Sequence, residues 1–213
     1  MAIPIQRLIS DFIFREIRVE ELPLALEVRR AVYIEELGYD DERILLDPFD
    51  QRAHHFLATT REGNPIAALR MLAWDVRPFE FEHFVDASSL LPPASRAAEI
   101  SRNCILPEFR PLTRFQFVHA GMWKLAYDCA ARLGLADLWI WAIPRVAKIY
   151  EYVGFCNVPI PQFRHPLFRF QFYQLMRLDL RTLEENYRRR HHPFTEFLFG
   201  PGLTSSTSDP GAR

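Results

Sequence analysis

Apolar and polar residues alternate over Phe12 to Val19, the period of a strand with one buried face. From Leu22 to Leu37 the apolar spacing becomes helical and stops at Gly38, a residue suited to a helix C-cap. The acidic stretch Glu35 to Asp50, broken by Gly38 and Pro48, predicts a loop. Two strand-like runs, Ala53 to Thr60 and Pro65 to Trp74, flank Arg61-Glu62-Gly63-Asn64 and predict a hairpin. Residues 75–96, rich in Pro and Ser, predict a long excursion with one short helix, and Ala97 to Leu106 a strand closed by Pro107. Thr113 to Leu133 carries the strongest helical pattern, with Thr113 as N-cap and Gly134 as stop. Asp137 to Ile143 is almost wholly apolar, as a strand covered on both faces should be. Arg145 to Tyr152 predicts a short helix, and Gly154-Phe155 a turn into a further strand. Arg169 to Leu178 predicts the last strand and Leu183 to Arg190 a terminal helix. The order β-α-β-β-β-α-β-α-β-β predicts one α/β (α+β) domain over residues 1–199, a mixed sheet flanked by helices, with a disordered tail at 200–213.

Composition narrows the function class. The 213 residues suit one domain, with 49% apolar and 25% charged residues as in ordinary globular chains. A net charge of −1 gives no reason to expect a nucleic-acid partner or an anionic membrane. No run approaches the ~18 apolar residues of a membrane span, and the first residues lack the pattern of a signal peptide. Cys104, Cys129 and Cys156 have no metal-like spacing and fit a reducing, cytoplasmic setting. The 18 Phe, with 4 Trp and 7 Tyr, fit an aromatic core or a cavity for an acyl chain.

Three features go beyond a generic domain. In Glu99-Ile100-Ser101-Arg102, alternation puts Glu99 and Ser101 on one face of a central strand and Arg102 on the other, unless a bulge near Ser101 turns Arg102 round to join them. Such charges are costly to bury unpaired, so these residues make either an internal ion pair of Glu99 with Arg70 or Arg102, or a catalytic group. Arg110 and Arg114 flank the start of the long helix, where free N–H groups around Thr113 suit a phosphate; a capped helix with surface arginines would look the same. Tyr150-Glu151-Tyr152-Val153-Gly154-Phe155 reads as a helix end, a glycine turn and a re-entering strand. His54-His55 point to opposite faces of a strand and His191-His192 lie in a polar terminal segment, so neither pair suggests a metal. Cys104 and Cys156 lack a base partner and read as packed thiols.

In this order the three features resemble the GNAT N-acyltransferase fold. Over residues 29–102 the chain resembles the acyl-homoserine-lactone synthases and the N-acyl amino acid synthases, through Arg29, Tyr33, Tyr39, Asp47, Asp50, Arg70, Glu99 and Arg102. Tyr33 and Tyr39 stand where lactone synthases usually carry Phe and Trp, and Pro107-x-x-Arg110 with Tyr150…Phe155 looks more like the amino acid synthases. Coenzyme A-dependent relatives place glycines after the loop arginine. Here Pro111-Leu112-Thr113 removes an N–H and adds bulk, which favours the single phosphate of an acyl carrier protein.

The resemblance implies transfer of a fatty acyl group from a phosphopantetheine thioester, on acyl carrier protein or coenzyme A, to the amine of a small acceptor, expected to be an amino acid. No tightly bound cofactor or metal is expected. Glu99 would take the ammonium proton, with Ser101 and Arg102 beside it. Arg70 or Arg102 would hold the acceptor's carboxylate, near Asp47, Asp50, Arg29 and Tyr33. Arg110, Thr113, Arg114 and Tyr150 would bind the phosphopantetheine. Trp74, Phe79, Phe81, Phe84, Met122, Trp123, Trp139 and Trp141 are candidates for the acyl tunnel. Arginines clustered late, Arg164, Arg169, Arg177, Arg181, Arg188, Arg189 and Arg190, suit an acidic carrier protein or a solvated face. Three other readings stay open: a true acyl-homoserine-lactone synthase using S-adenosylmethionine, an acyltransferase that accompanies protein sorting, and a non-catalytic acyl- or carrier-binding module.

Overall fold

Seven alternating or apolar runs become strands that join edge to edge in the computed structural model, which describes residues 9–110, 117–168, 171–201 and 203. They are β1 (Phe12–Ile17), β2 (His54–Thr60), β3 (Pro65–Ala73), β4 (Ala97–Ile105), β5 (Asp137–Ala142), β6 (Cys156–Asn157) and β7 (Gln174–Asp179). The sheet order is β1-β2-β3-β4-β5-β7-β6. Every neighbouring pair is antiparallel except β4 and β5, which run parallel. The helices are α1 (Leu22–Arg29), which runs on as π-helical turns over Arg30–Glu36, α2 (Phe117–Arg132), α3 (Pro144–Tyr152), α4 (Leu180–Arg189) and α5 (Thr195–Phe199). Gly38, at φ +69°, ends the first of these, where a residue with a Cβ would be strained.

The two sheet faces differ. Ala98 and Ile100 of β4, Leu138 and Ile140 of β5, and Met176 and Leu178 of β7 share one apolar core with Met122, Trp123 and Ala126 of α2 and Leu183 and Tyr187 of α4. Opposite them, Leu57 of β2, Ala68 of β3 and Cys104 of β4 pack on α1, while Leu72, Ala97, Trp139 and Leu175 pack under Phe79, Phe81 and Leu91. The excursion 75–96 therefore forms part of the second core. It holds two 3-10 turns, Trp74–Val76 and Phe81–His83, and not the short helix expected. The terminal pattern expected at Leu183 starts earlier, at Leu180 with Asp179 as its cap, and α5 was not anticipated. Thr113, Arg114, Arg169 and most of the tail lie outside the described residues.

Two irregularities in β4 shape the site. Its pairing with β5 runs from Ala97–Asp137 to Ile100–Ile140 and then stops, although both strands continue, so a wedge opens at Ser101. On the other edge the register with β3 jumps from Arg70–Ser101 to Ala68–Cys104, a bulge in which Arg102 takes φ +51°.

Close packing of α2 on β1 gives a first prediction. A Cβ at Gly121 would overlap the buried Phe14 ring. Gly121→Ala should lower the free energy of unfolding by about 1–3 kcal/mol, the usual cost of overpacking a core. An unchanged denaturation midpoint would show that the ring moves aside freely.

Candidate active site

A non-glycine residue at positive φ is costly, and the bulge carries that cost at Arg102. It puts Ser101 and Arg102 on the same side of β4, the second of the two arrangements open from the sequence. The Arg102 guanidinium gives Nη2 to Asp47 Oδ2 at 2.8 Å and to Glu80 Oε1 at 2.9 Å, and Nη1 to Glu80 Oε2 at 3.2 Å. Arg70, one strand over, gives Nη1 to Asp47 Oδ1 and Nη2 to Glu80 Oε2, both at 2.7 Å, and Nε to Ser101 Oγ at 3.0 Å. Arg29 reaches Asp50 Oδ1 at 2.9 Å and the Leu45 carbonyl at 2.7 Å. Asp50 Oδ1 also lies 3.3 Å from Arg70 Nη1. Three buried guanidiniums thus face three carboxylates. Burial raises the Glu80 carboxyl, but Arg102, His165 and Arg70 outweigh it and hold the group well below the usual carboxylate range. Desolvation acts the same way on Asp50, and Arg70 and Arg29 lower it overall.

Glu99 lies beneath this network without joining it. Its Oε2 accepts from the Glu80 and Phe81 backbone N–H groups at 2.6 and 3.4 Å, and its Oε1 from Trp141 Nε1 at 2.7 Å. The expected ion pair of Glu99 with Arg70 or Arg102 is absent among the described residues, because Glu80 takes both guanidiniums. Fully buried and close to the Glu80 charge, the Glu99 carboxyl is pushed up to about 8. Trp141 stacks on His165 at 4.9 Å, and His165 Nδ1 accepts from the Leu167 N–H at 3.1 Å. Its Nε2 therefore donates to Glu80 Oε1, also at 3.1 Å.

On the opposite face, beyond the bulge, Asn103 Nδ2 lies 3.0 Å from His119 Nε2 of α2 and 3.1 Å from the Tyr150 hydroxyl of α3. Burial alone pushes His119 down to about 4, and burial pushes Tyr150 up to about 12, so both are neutral near pH 7. An apolar cavity of about 160 Å³ is lined by His119 together with Trp123, Leu138, Leu178, Leu183 and Leu198 among others.

The other expected residues are scattered. Trp123 lines that cavity, and Met122 is filled core on the same side. Trp139 is buried against Phe81 on the opposite face, and Phe79 packs there too, so these side chains form no single tunnel. Phe84 and Trp141 pack on His165. Trp74 is exposed, with Arg96 over its ring, and leaves the acyl set. Tyr33 is hydrogen-bonded to the Cys104 thiol and packed edge-on to Phe168, over which Arg102 lies. Arg110 makes two hydrogen bonds to Glu36, at 2.6 and 2.8 Å, so a phosphate there would have to compete with a carboxylate. Of the late arginines, Arg177, Arg181 and Arg188 pair with Asp137, Asp179 and Glu184, which thins the basic face. Cys156 is exposed, not packed. Glu16, His54 and Cys129 bring ligand-type atoms within 4.8 Å, but the Arg132 guanidinium already lies 2.6 Å from Glu16 and 3.2 Å from Cys129. Glu80, Asn103, His119 and His165 were missed: Glu80 and His165 lie in segments without periodicity, and His119 read as part of a helix face.

Residues 28–119 match the family described as the acetyltransferase (GNAT) domain. Among solved structures the chain is similar to FeeM, an N-acyl amino acid synthase from uncultured soil microbes, with 16% identity and a TM-score of 0.65 over 82% of this chain and 93% of that one. It is also similar to the AHL synthase LasI, with 15% identity and a TM-score of 0.60 over 91% and 97% of the two chains. An acyl-CoA N-acyltransferase from Pseudomonas aeruginosa gives 18%, 0.58, 79% and 99%. No curated protein matches the chain significantly. At these identities the structural likeness establishes the fold.

Two predictions follow from the charge network. Glu80→Gln, which leaves Arg70 and Arg102 short of a counter-charge, should cost about 3–5 kcal/mol of stability, as breaking a buried pair does. Unchanged urea unfolding would show that the network adds nothing. The second concerns pH. Glu99 holds its proton in the folded state up to about 8 but loses it near 4.5 when unfolded. Over that window the folded state binds more protons, so its stability falls as pH rises. Glu80 and Asp50 are shifted down, so their contribution is present above the unfolded carboxylate range and is lost as pH falls. Glu99→Gln should remove the decline between about 4.5 and 8 and leave the acid limb in place. An identical pH profile in the variant would place the decline elsewhere.

Proposed function

For this chain, an N-acyltransferase carrying a GNAT acetyltransferase domain, we propose transfer of a fatty acyl group from a phosphopantetheine thioester to the amine of an amino acid. The wedge between β4 and β5 carries the reading, because β4 backbone beyond Ile100 has no β5 partner and an extended pantetheine arm can pair there as an added strand. The apolar cavity lined by His119 and Trp123 suits the acyl chain. Likeness to a synthase of N-acyl amino acids supports the acceptor. Pro111-Leu112-Thr113, which lacks one N–H at the proline and adds side-chain bulk, supports acyl carrier protein over coenzyme A as donor.

The amine attacks the thioester carbonyl carbon, and the C–S bond breaks as the tetrahedral intermediate collapses. An N–H of β4 near residues 102–104 stabilises the oxyanion. Glu99, a proton acceptor poised near 8, is buried out of direct reach of an acceptor and takes the ammonium proton through water or the Ser101 hydroxyl. A second proton leaves the nitrogen on collapse, and the departing sulfur takes up one of the two. Tyr150, protonated at all working pH values, gives that sulfur a hydrogen bond. Arg70 and Arg102 are nearly or wholly buried and already bonded to Asp47 and Glu80. They hold the wedge in shape, and Asp47 and Glu80 already occupy the guanidinium edges that an acceptor's carboxylate would need.

Mass spectrometry of lipid extracts from a host expressing the chain should reveal acyl amino acids. Lactones, or no new lipid, would overturn the proposal. Purified protein should prefer acyl carrier protein, and a tenfold better KM for acyl-coenzyme A would reverse the donor assignment. Glu99→Gln should slow transfer ~10²–10⁴-fold and abolish a rise in kcat/KM toward pH 8. Full activity across that range would remove Glu99 from the chemistry.

A further inference from the structure

The hydrogen bonds at the opened end of β4 decide which way one proton points. Asn103 sits just past the last β4–β5 pair, and its amide nitrogen lies within bonding distance of both His119 Nε2 and the Tyr150 oxygen. An amide nitrogen only donates. His119 Nε2 is therefore the bare nitrogen of a neutral ring, consistent with its burial. The Tyr150 oxygen accepts as well, so its own proton is turned away from Asn103. Turning the amide over would leave both its N–H groups where Oδ1 now lies buried without a partner, and an orphaned N–H is the rarer and costlier defect.

We propose that Asn103, held by His119, is a positioning residue that aims the Tyr150 O–H into the β4–β5 wedge, at the departing sulfur of the thioester. This rests on the reading of Tyr150 as the hydrogen-bond donor to that sulfur.

The test uses the full chain with two donors, an acyl-pantetheine thioester and the corresponding 4-nitrothiophenyl thioester, whose thiolate departs without help. Asn103→Leu, Asn103→Asp and Tyr150→Phe should each slow transfer from the pantetheine thioester by ~10²-fold in kcat, with little change in KM. All three should return close to the parent rate with the nitrothiophenyl donor, which also shows that they fold. The Asn103→Leu/Tyr150→Phe pair should be no slower than either single change. Asn103→Asp at the parent rate would mean that Tyr150 donates to residue 103, and would overturn the proposal. So would Asn103→Leu that is equally slow with both donors, which marks a merely structural role. If Tyr150→Phe is slow and rescued while Asn103→Leu is unaffected, the Tyr150 reading survives and this inference fails. Full activity of Tyr150→Phe with the pantetheine thioester would remove both.

Discussion

Three guanidinium groups buried on one face of a sheet are the constraint on which this molecule depends. Arg29, Arg70 and Arg102 cannot be withdrawn from water singly, and Asp47, Asp50 and Glu80 gather around them from two separate stretches of chain. Arg102 reaches the group only because β4 bulges, and the bulge lies just past the point where β4 parts from β5. The ion network, the strained backbone at residue 102 and the wedge therefore form one structural unit. The strain at Arg102 persists because two carboxylates hold its side chain where it is.

The bulge also divides labour between the faces. Glu99 and Ser101 lie on the side of the charge network, where a carboxyl kept proton-hungry by burial and by Glu80 suits proton uptake. Asn103 lies on the other side, against neutral His119 and Tyr150, where a hydrogen bond can be offered to a departing sulfur. A strand without the extra residue would put Arg102 and Asn103 on the faces opposite to those they occupy. In the proposed reaction, acid and base functions would meet across a single thioester carbonyl while their supporting networks stay apart.

Much of this was legible in the sequence for identifiable reasons. Strands and helices with one buried face declare their period, so β1 to β5 and α1 to α3 fall where alternation or helical spacing placed them, within a few residues. Glu99, Ser101, Arg102 and Arg70 stood out because charge in an apolar strand has to be compensated. Glu80 was invisible for the converse reason: it lies in a Pro-rich excursion whose fold comes from Phe79 and Phe81 packing on Trp139, a long-range contact with no local pattern. Without Glu80, the sequence leaves the arginines short of partners, and the carboxylate of a substrate is the expected completion. The aromatic residues misled in a similar way. Trp139 and Met122 are apolar and central, but Trp139 points from β5 to one face of the sheet while Met122 packs from α2 on the other, and sequence spacing between different elements does not report that.

In the proposed reaction β4, opened by the bulge at Arg102, seats a thioester donor along its free edge. Amide hydrogen exchange of the full chain, with and without a non-transferable acyl-pantetheine thioether, tests this most directly. The analogue should slow exchange in the β4 segment from Ser101 to Cys104 and around Tyr150, while β2, β3 and α1 are unchanged. Protection confined to other elements, or unchanged exchange from Ser101 to Cys104 at saturating analogue, would contradict it.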